Sequence, residues 1–126
     1  MSHCILVVED NLMISAHIAK AITQHLNVEV KVAFNGRQAL EAFSSSKFSL
    51  ILMDIRMPVM NGYEATLHIR LLEKFSGAHT PIISMTAEPL ESNHPCNPAE
   101  GSDDVIIKPF HMDELITKIN PWLTHG

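Results

Sequence analysis

Five side chains in this sequence end apolar runs with groups that can do chemistry. They are the carboxylates of Glu9 and Asp10 after Cys4–Val8, the carboxylate of Asp54 after Ser49–Met53, the hydroxyl of Thr86 after Pro81–Met85 and the amine of Lys108 after Asp104–Ile107. Three carboxylates brought together repel unless a cation joins them, and hard oxygen donors suit a hard cation such as magnesium (Mg2+). A lysine ammonium and a threonine hydroxyl beside them would hold an anion by charge and by one hydrogen bond. The anion that fits is a phosphoryl group. A carboxylate can attack phosphorus when a metal neutralises the incoming oxygens and a lysine steadies the charge. Asp54 lies in the middle one of the strand-like runs and is the candidate nucleophile, with Glu9 and Asp10 as candidate metal ligands.

This chemistry requires that residues a hundred positions apart converge. The apolar runs read as five strands: Cys4–Val8, Val28–Phe34, Ser49–Met53, Pro81–Thr86 and Asp104–Ile107. Their lengths and β-branched content suit strands, and the near-continuous hydrophobicity of Ser49–Met53 suits one covered on both faces of a parallel sheet. Helical spacing follows most of them. Ile14, Ile18, Ala21, Ile22 and Leu26 form one stripe after Asn11, a plausible cap; Ala39, Leu40 and Phe43 form a second after Asn35-Gly36. Tyr63, Leu67, Arg70 and Leu71 form a third, stopped by Ser76-Gly77, and Leu115, Ile116, Ile119 and Leu123 form the last. Alternating strands and helices imply an α/β fold with a parallel sheet and helices on both faces. In such sheets ligands bind at the C-terminal ends of the strands, where all five polar groups fall. The fourth crossover is the exception to regularity. Pro89, Pro95 and Pro98 would each cost about 3 kcal/mol inside a helix, so a short or irregular helix is expected there.

The totals exclude several classes. At 126 residues and 46% hydrophobic content the chain suits one globular domain, residues 1–126, and it has no apolar run long enough to span a membrane. A formal charge of -5 gives no basic face for nucleic acid. Cys4 and Cys96 lack zinc or disulfide spacing, and no export signal is evident, so a reducing cytoplasm is expected, though a parent chain could be membrane-anchored. Taken singly, each strand-end acid more often caps a turn, Lys108 is more often a solvated lysine, and the eight scattered histidines lack ligand spacing. Five positions converging on one edge reverse those odds.

Val7-Val8-Glu9-Asp10-Asn11, Met53-Asp54-Ile55-Arg56-Met57-Pro58-Val59-Met60-Asn61-Gly62, Ser84-Met85-Thr86-Ala87, and Gly101-Ser102-Asp103-Asp104 leading to Lys108-Pro109-Phe110 together resemble the receiver (response-regulator) domain of two-component signalling. The resemblance covers essentially the whole chain. It implies a single flavodoxin-like (βα)5 fold with strand order 2-1-3-4-5 and a cis Lys108-Pro109 bond. It also implies a phosphorelay role in which Asp54 receives a phosphoryl group from a histidine kinase or histidine phosphotransfer domain. Asp10, Asp54 and the Arg56 backbone carbonyl would hold Mg2+, Glu9 would act mainly through a water, and Thr86 and Lys108 would contact the phosphoryl oxygens. The Asp54 and Gly-x-Asp-Asp segments look most like receivers attached to hybrid sensor kinases, so a parent kinase chain or an output domain would be a further partner.

Two departures from the family pattern qualify the output. The position three before Lys108, commonly aromatic, is Val105, whose stiff side chain cannot swing between surface and interior. The proline-rich crossover alters a face that often docks partners. By the same resemblance Arg56 and Glu88 would overlook the site and could pair across its entrance, which predicts slow autodephosphorylation. Two alternatives stand beside the phosphoacceptor reading. One is a pseudo-receiver that only docks; the other is an aspartate-nucleophile phosphohydrolase, disfavoured because Arg56 stands where such enzymes usually carry a second acid.

Overall fold

Five strands and four helices make up the described residues, 3–57, 59–87 and 101–124, of the computed structural model. In chain order they are β1 (His3–Val8), α1 (Leu12–His25), β2 (Val28–Ala33), α2 (Gly36–Ser45), β3 (Leu50–Asp54), α3 (Gly62–Ser76), β4 (Ile82–Thr86), β5 (Asp104–Ile107) and α4 (Met112–Thr124). All neighbouring strands pair in parallel, in the order β2-β1-β3-β4-β5. The expected flavodoxin-like order is therefore present. The irregular fourth crossover, with Glu88 and its three prolines, lies outside the described residues.

Alternation along the strands divides the core into two layers. Ile5 and Val7 of β1, Leu50 and Leu52 of β3, and Ile83 and Met85 of β4 pack with Ile18 and Ile22 of α1 and Leu115 and Ile119 of α4. The intervening residues Leu6, Val8, Ile51, Met53 and Ile82 face the other way, onto Ala39 of α2 and Ala65 and Ile69 of α3. Both faces of β3 are thus covered, which is why Leu50–Asp54 is buried throughout. Each fully buried aliphatic side chain contributes about 1.5–3 kcal/mol relative to exposure, so the sheet centre is the most firmly held part of the molecule.

Three asparagines start three helices. The Asn11 side chain accepts hydrogen bonds from the Met13 and Ile14 N–H groups at 3.0 Å each, Asn35 accepts from Gln38 N–H at 2.8 Å, and Asn61 accepts from Glu64 N–H at 3.0 Å. The glycines after Asn35 and Asn61 serve close approach rather than turn geometry, since neither has positive φ. A Cβ on Gly62 would collide with the Asp54 carbonyl oxygen and lie 2.8 Å from Ile55 Cα; one on Gly36 would lie 2.6 Å from the Met60 carbonyl oxygen. Gly62 therefore lets the start of α3 sit directly against the end of β3.

Helix α3 corrects one expectation. Its buried face is Gly62, Ala65, Thr66, Ile69 and Glu73, whereas Leu67 and Leu71 from the expected stripe are about half exposed. Small residues at 62 and 65 let the helix approach the sheet closely, and the larger leucines are left outside. Ile14, also read as core, is 41% exposed because α1 begins only two residues earlier, above the sheet edge.

Candidate functional site

Parallel register brings the strand-end groups together. Val8 is paired with Met53, so Glu9 leaves β1 beside Asp54 at the end of β3. Asp54 is paired with Met85, one residue before Thr86, and Thr86 is paired with Ile107, one residue before Lys108. The backbone holds these ends in place: Ile55 N–H donates to Met85 O at 3.0 Å and Lys108 N–H to Thr86 O at 2.7 Å. All five residues singled out in the sequence, together with Arg56, line one cleft of about 450 Å³. Asn11, Ile14 and Ala87 line it as well, although sequence reasoning gave them no place in the site. Asn11 could have been noticed from its position directly after two acids. Its N–H donates to Glu9 Oε2 at 3.2 Å while its side chain caps α1.

The electrostatics are those of an unbalanced cluster. Glu9, Asp10 and Asp54 each offer an oxygen within 4.8 Å of the others, with Glu9 and Asp54 buried and Asp10 exposed. Lys108 donates to Glu9 Oε1 at 2.8 Å and stands 3.3 Å from Asp54 Oδ1. Burial and the neighbouring Glu9 push the Asp54 carboxyl up to about 7, against the opposing pull of Lys108. Asp10 is also raised, by desolvation and by Glu9. Burial alone would raise Glu9, but hydrogen bonds from Lys108 and the Asn11 N–H outweigh it and hold Glu9 low. Lys108 is raised, since its carboxylate partners outweigh the desolvation of its charge. Lys108 thus sits closer to Glu9 than to Asp54, and its single charge is shared between two buried carboxylates.

The donor set suits a hard divalent cation: three carboxylates converge, no sulfur or imidazole is among them, and a metal there would relieve the repulsion that raises Asp54. The Lys108-Pro109 bond is cis, as the resemblance implied. Val59, in the loop after Asp54, has φ 71°, a left-handed conformation that β-branched residues rarely adopt. Such strain occurs often at functional sites. Arg56 is exposed at the cleft, while its expected partner Glu88 falls outside the described residues. Among the described residues no helix is long and apolar enough to cross a membrane.

Comparison with known proteins agrees with this geometry. Residues 5–120 match the family model described as response regulator receiver domain. The chain is 36% identical over 121 residues to hybrid signal transduction histidine kinase I of Dictyostelium discoideum, an alignment covering 92% of this chain but 7% of that protein. It spans 7%, 14% and 54% of the length of three curated relatives that it matches. The receiver domain of sensor histidine kinase PA1611 from Pseudomonas aeruginosa PAO1, solved with a magnesium ion coordinated in its active site cleft, superposes with a TM-score of 0.85. It shares 33% identity over 98% of this chain and 99% of that one. The Saccharomyces cerevisiae receiver domain of Ssk1, solved with the histidine phosphotransfer protein Ypd1, gives a TM-score of 0.84 at 29% identity over 96% and 88% of the two chains. With its strand order, acidic cleft and sequence in agreement, the chain belongs to the response regulator receiver domains, the receiving modules of two-component signalling.

Proposed function

We propose that this receiver is phosphorylated on Asp54, with Mg2+ held by Asp10, Asp54 and the Arg56 backbone carbonyl and supported by Glu9. The observation that carries this reading is the charge imbalance at the cleft: three convergent carboxylates share one lysine, which stands 2.8 Å from Glu9 and 3.3 Å from Asp54. When bound, the cation would neutralise phosphoryl oxygens and favour the ionised form of Asp54. The chain's own residues supply the remainder. An Asp54 carboxylate oxygen forms the new O–P bond as the P–N bond of a phosphohistidine breaks, and the electron pair of that bond returns to the donor imidazole. Lys108 exchanges its bond to Glu9 for one to the phosphoryl group, and the Thr86 hydroxyl donates to a second phosphoryl oxygen. The loops at Thr86 and Lys108 move with those contacts, which couples phosphorylation to conformation.

The donor would be a histidine kinase or a histidine phosphotransfer domain. Leu12 and Met13, which lie between the cleft-lining Asn11 and Ile14, are 67% and 83% exposed, and exposed apolar side chains beside an acidic cleft suit a docking protein. The chain acts as one receiver domain within a two-component pathway, with a parent kinase chain or an output domain as its further partner and the cytoplasm as its compartment. Radiolabelled phosphoryl transfer from a phosphohistidine donor tests the reading. Label should reach the wild-type chain, and should be lost in Asp54→Asn and on removal of Mg2+ with EDTA. Label retained by Asp54→Asn would overturn the assignment.

A further inference from the structure

Helix α3 turns a second, unabsorbed surface outward. Leu67, Leu71, Leu72 and Phe75 are 54%, 53%, 44% and 92% exposed, and none of them lines the cleft. Two charged residues bracket the three leucines, with Phe75 just beyond: Glu64 in the first turn and Lys74 in the last, both exposed and neither in an ion pair among the described residues. At 3.6 residues per turn, Glu64, Leu67, Leu71 and Lys74 fall within an arc of about 80° and along about 15 Å of helix. They therefore form one stripe.

The stripe is symmetric about its own middle. Leu67 and Leu71 each stand two positions from Ile69, and Glu64 and Lys74 each stand five positions from it. Reversing the helix therefore exchanges leucine with leucine and acid with base. The complementarity of Glu64 and Lys74 to the helix dipole explains why each sits at its own end, but not why three leucines lie exposed between them.

We propose that α3 pairs with α3 of a second copy of this chain, antiparallel and about a two-fold axis at the level of Ile69. In that arrangement Leu67 packs on Leu71 of the second copy and Glu64 meets Lys74 of the second copy, each contact occurring twice, as an isologous interface requires. Phe75, about 60° from the centre of the stripe, flanks the seam and loses exposure to water, whereas Leu72, about 120° from it, stays outside the contact. One helix face is small for a stable interface, so association is reversible and depends on concentration. Because the face is separate from the cleft, pairing does not require a phosphorylated Asp54, and failure of either proposal leaves the other standing.

Sedimentation equilibrium from micromolar to millimolar concentration tests this. The wild type should show a monomer–dimer equilibrium, and Leu71→Asp, at an exposed position, should remain folded by circular dichroism and monomeric throughout. Glu64→Lys alone and Lys74→Glu alone should each weaken dimerisation about tenfold, since two attractive surface pairs become two repulsive ones. An equimolar mixture of these two variants should dimerise as the wild type does, because one chain then presents two lysines to the two glutamates of the other. A wild type that stays monomeric, a dimer indifferent to either charge reversal, or a mixture that fails to restore association would each overturn the proposal.

Discussion

Two clusters of charge lie at different places on this sheet, and each buries a carboxylate beside a cation. Where α3 meets β4 and β5, the Arg70 guanidinium donates to Glu73 Oε1 at 2.6 Å, Asp103 Oδ2 at 2.8 Å, Gly101 O at 2.7 Å and Thr80 O at 2.9 Å. The acids there have further partners. Glu73 also accepts from the Thr80 N–H, Asp103 accepts from Ile82 N–H at 2.9 Å, and His79 Nε2 lies 2.7 Å from Asp103. At the cleft, by contrast, Lys108 serves Glu9 and Asp54 together, and Asp10 adds a third acid. The first cluster is saturated with donors and acts as a clamp. The second is short of positive charge, and that shortage favours the binding of a cation and a phosphoryl group.

The largest expected effect separates the two. Arg70→Ala leaves Glu73 buried without its cation and releases Asp103, so stability should fall by about 3 kcal/mol, read as a lower urea midpoint. Phosphorylation of the fraction that remains folded should persist. A loss below about 1 kcal/mol would mean that the clamp is no firmer than a surface pair.

Magnesium should act in the opposite direction and only at the cleft. At about a hundred times its Kd, Mg2+ should raise stability by about 2.7 kcal/mol. The gain should shrink in Asp10→Asn and survive in Arg70→Ala, as followed by thermal unfolding. Equal gains in both variants would place the ion elsewhere.

A smaller effect concerns pH. The Asp54 carboxyl titrates near 7 in the folded chain, against about 3.9 when unfolded, so its contribution favours the folded state below pH ~4 and is lost as pH rises toward 7. Asp54→Asn escapes that loss. Without metal it should be more stable than wild type at pH ~8, by on the order of 2 kcal/mol, with the gap closing by pH ~4. A gap independent of pH would remove the claim that burial and Glu9 hold the Asp54 carboxyl up. The smallest effect is expected at Val59: Val59→Gly should add about 0.5 kcal/mol, because relief of left-handed strain slightly outweighs the entropy lost by glycine.

Much of the cleft was legible because strand ends are marked locally: an uncharged apolar run followed at once by an acid, hydroxyl or amine locates each group, and parallel pairing does the rest. Sheet order and the cis Lys108-Pro109 bond came only through resemblance, since no local signal carries them. The clamp was not legible, because Arg70 and Asp103 are 33 positions apart and neither ends a strand. The orientation of α3 was misread for a physical reason. Its leucines recur at helical spacing, yet close approach to the end of β3 selects the small face of Gly62 and Ala65 for burial, and residue size outweighs hydrophobicity there. Glu73, buried on that same face, is tolerated because Arg70 and the Thr80 N–H both bond to it.

The most direct test is intact mass after incubation with Mg2+ and a small acyl-phosphate donor. Wild type should gain one phosphoryl group, about 80 Da, while Asp54→Ala gains none. No gain by wild type, or an equal gain by both chains, would contradict Asp54 as the acceptor.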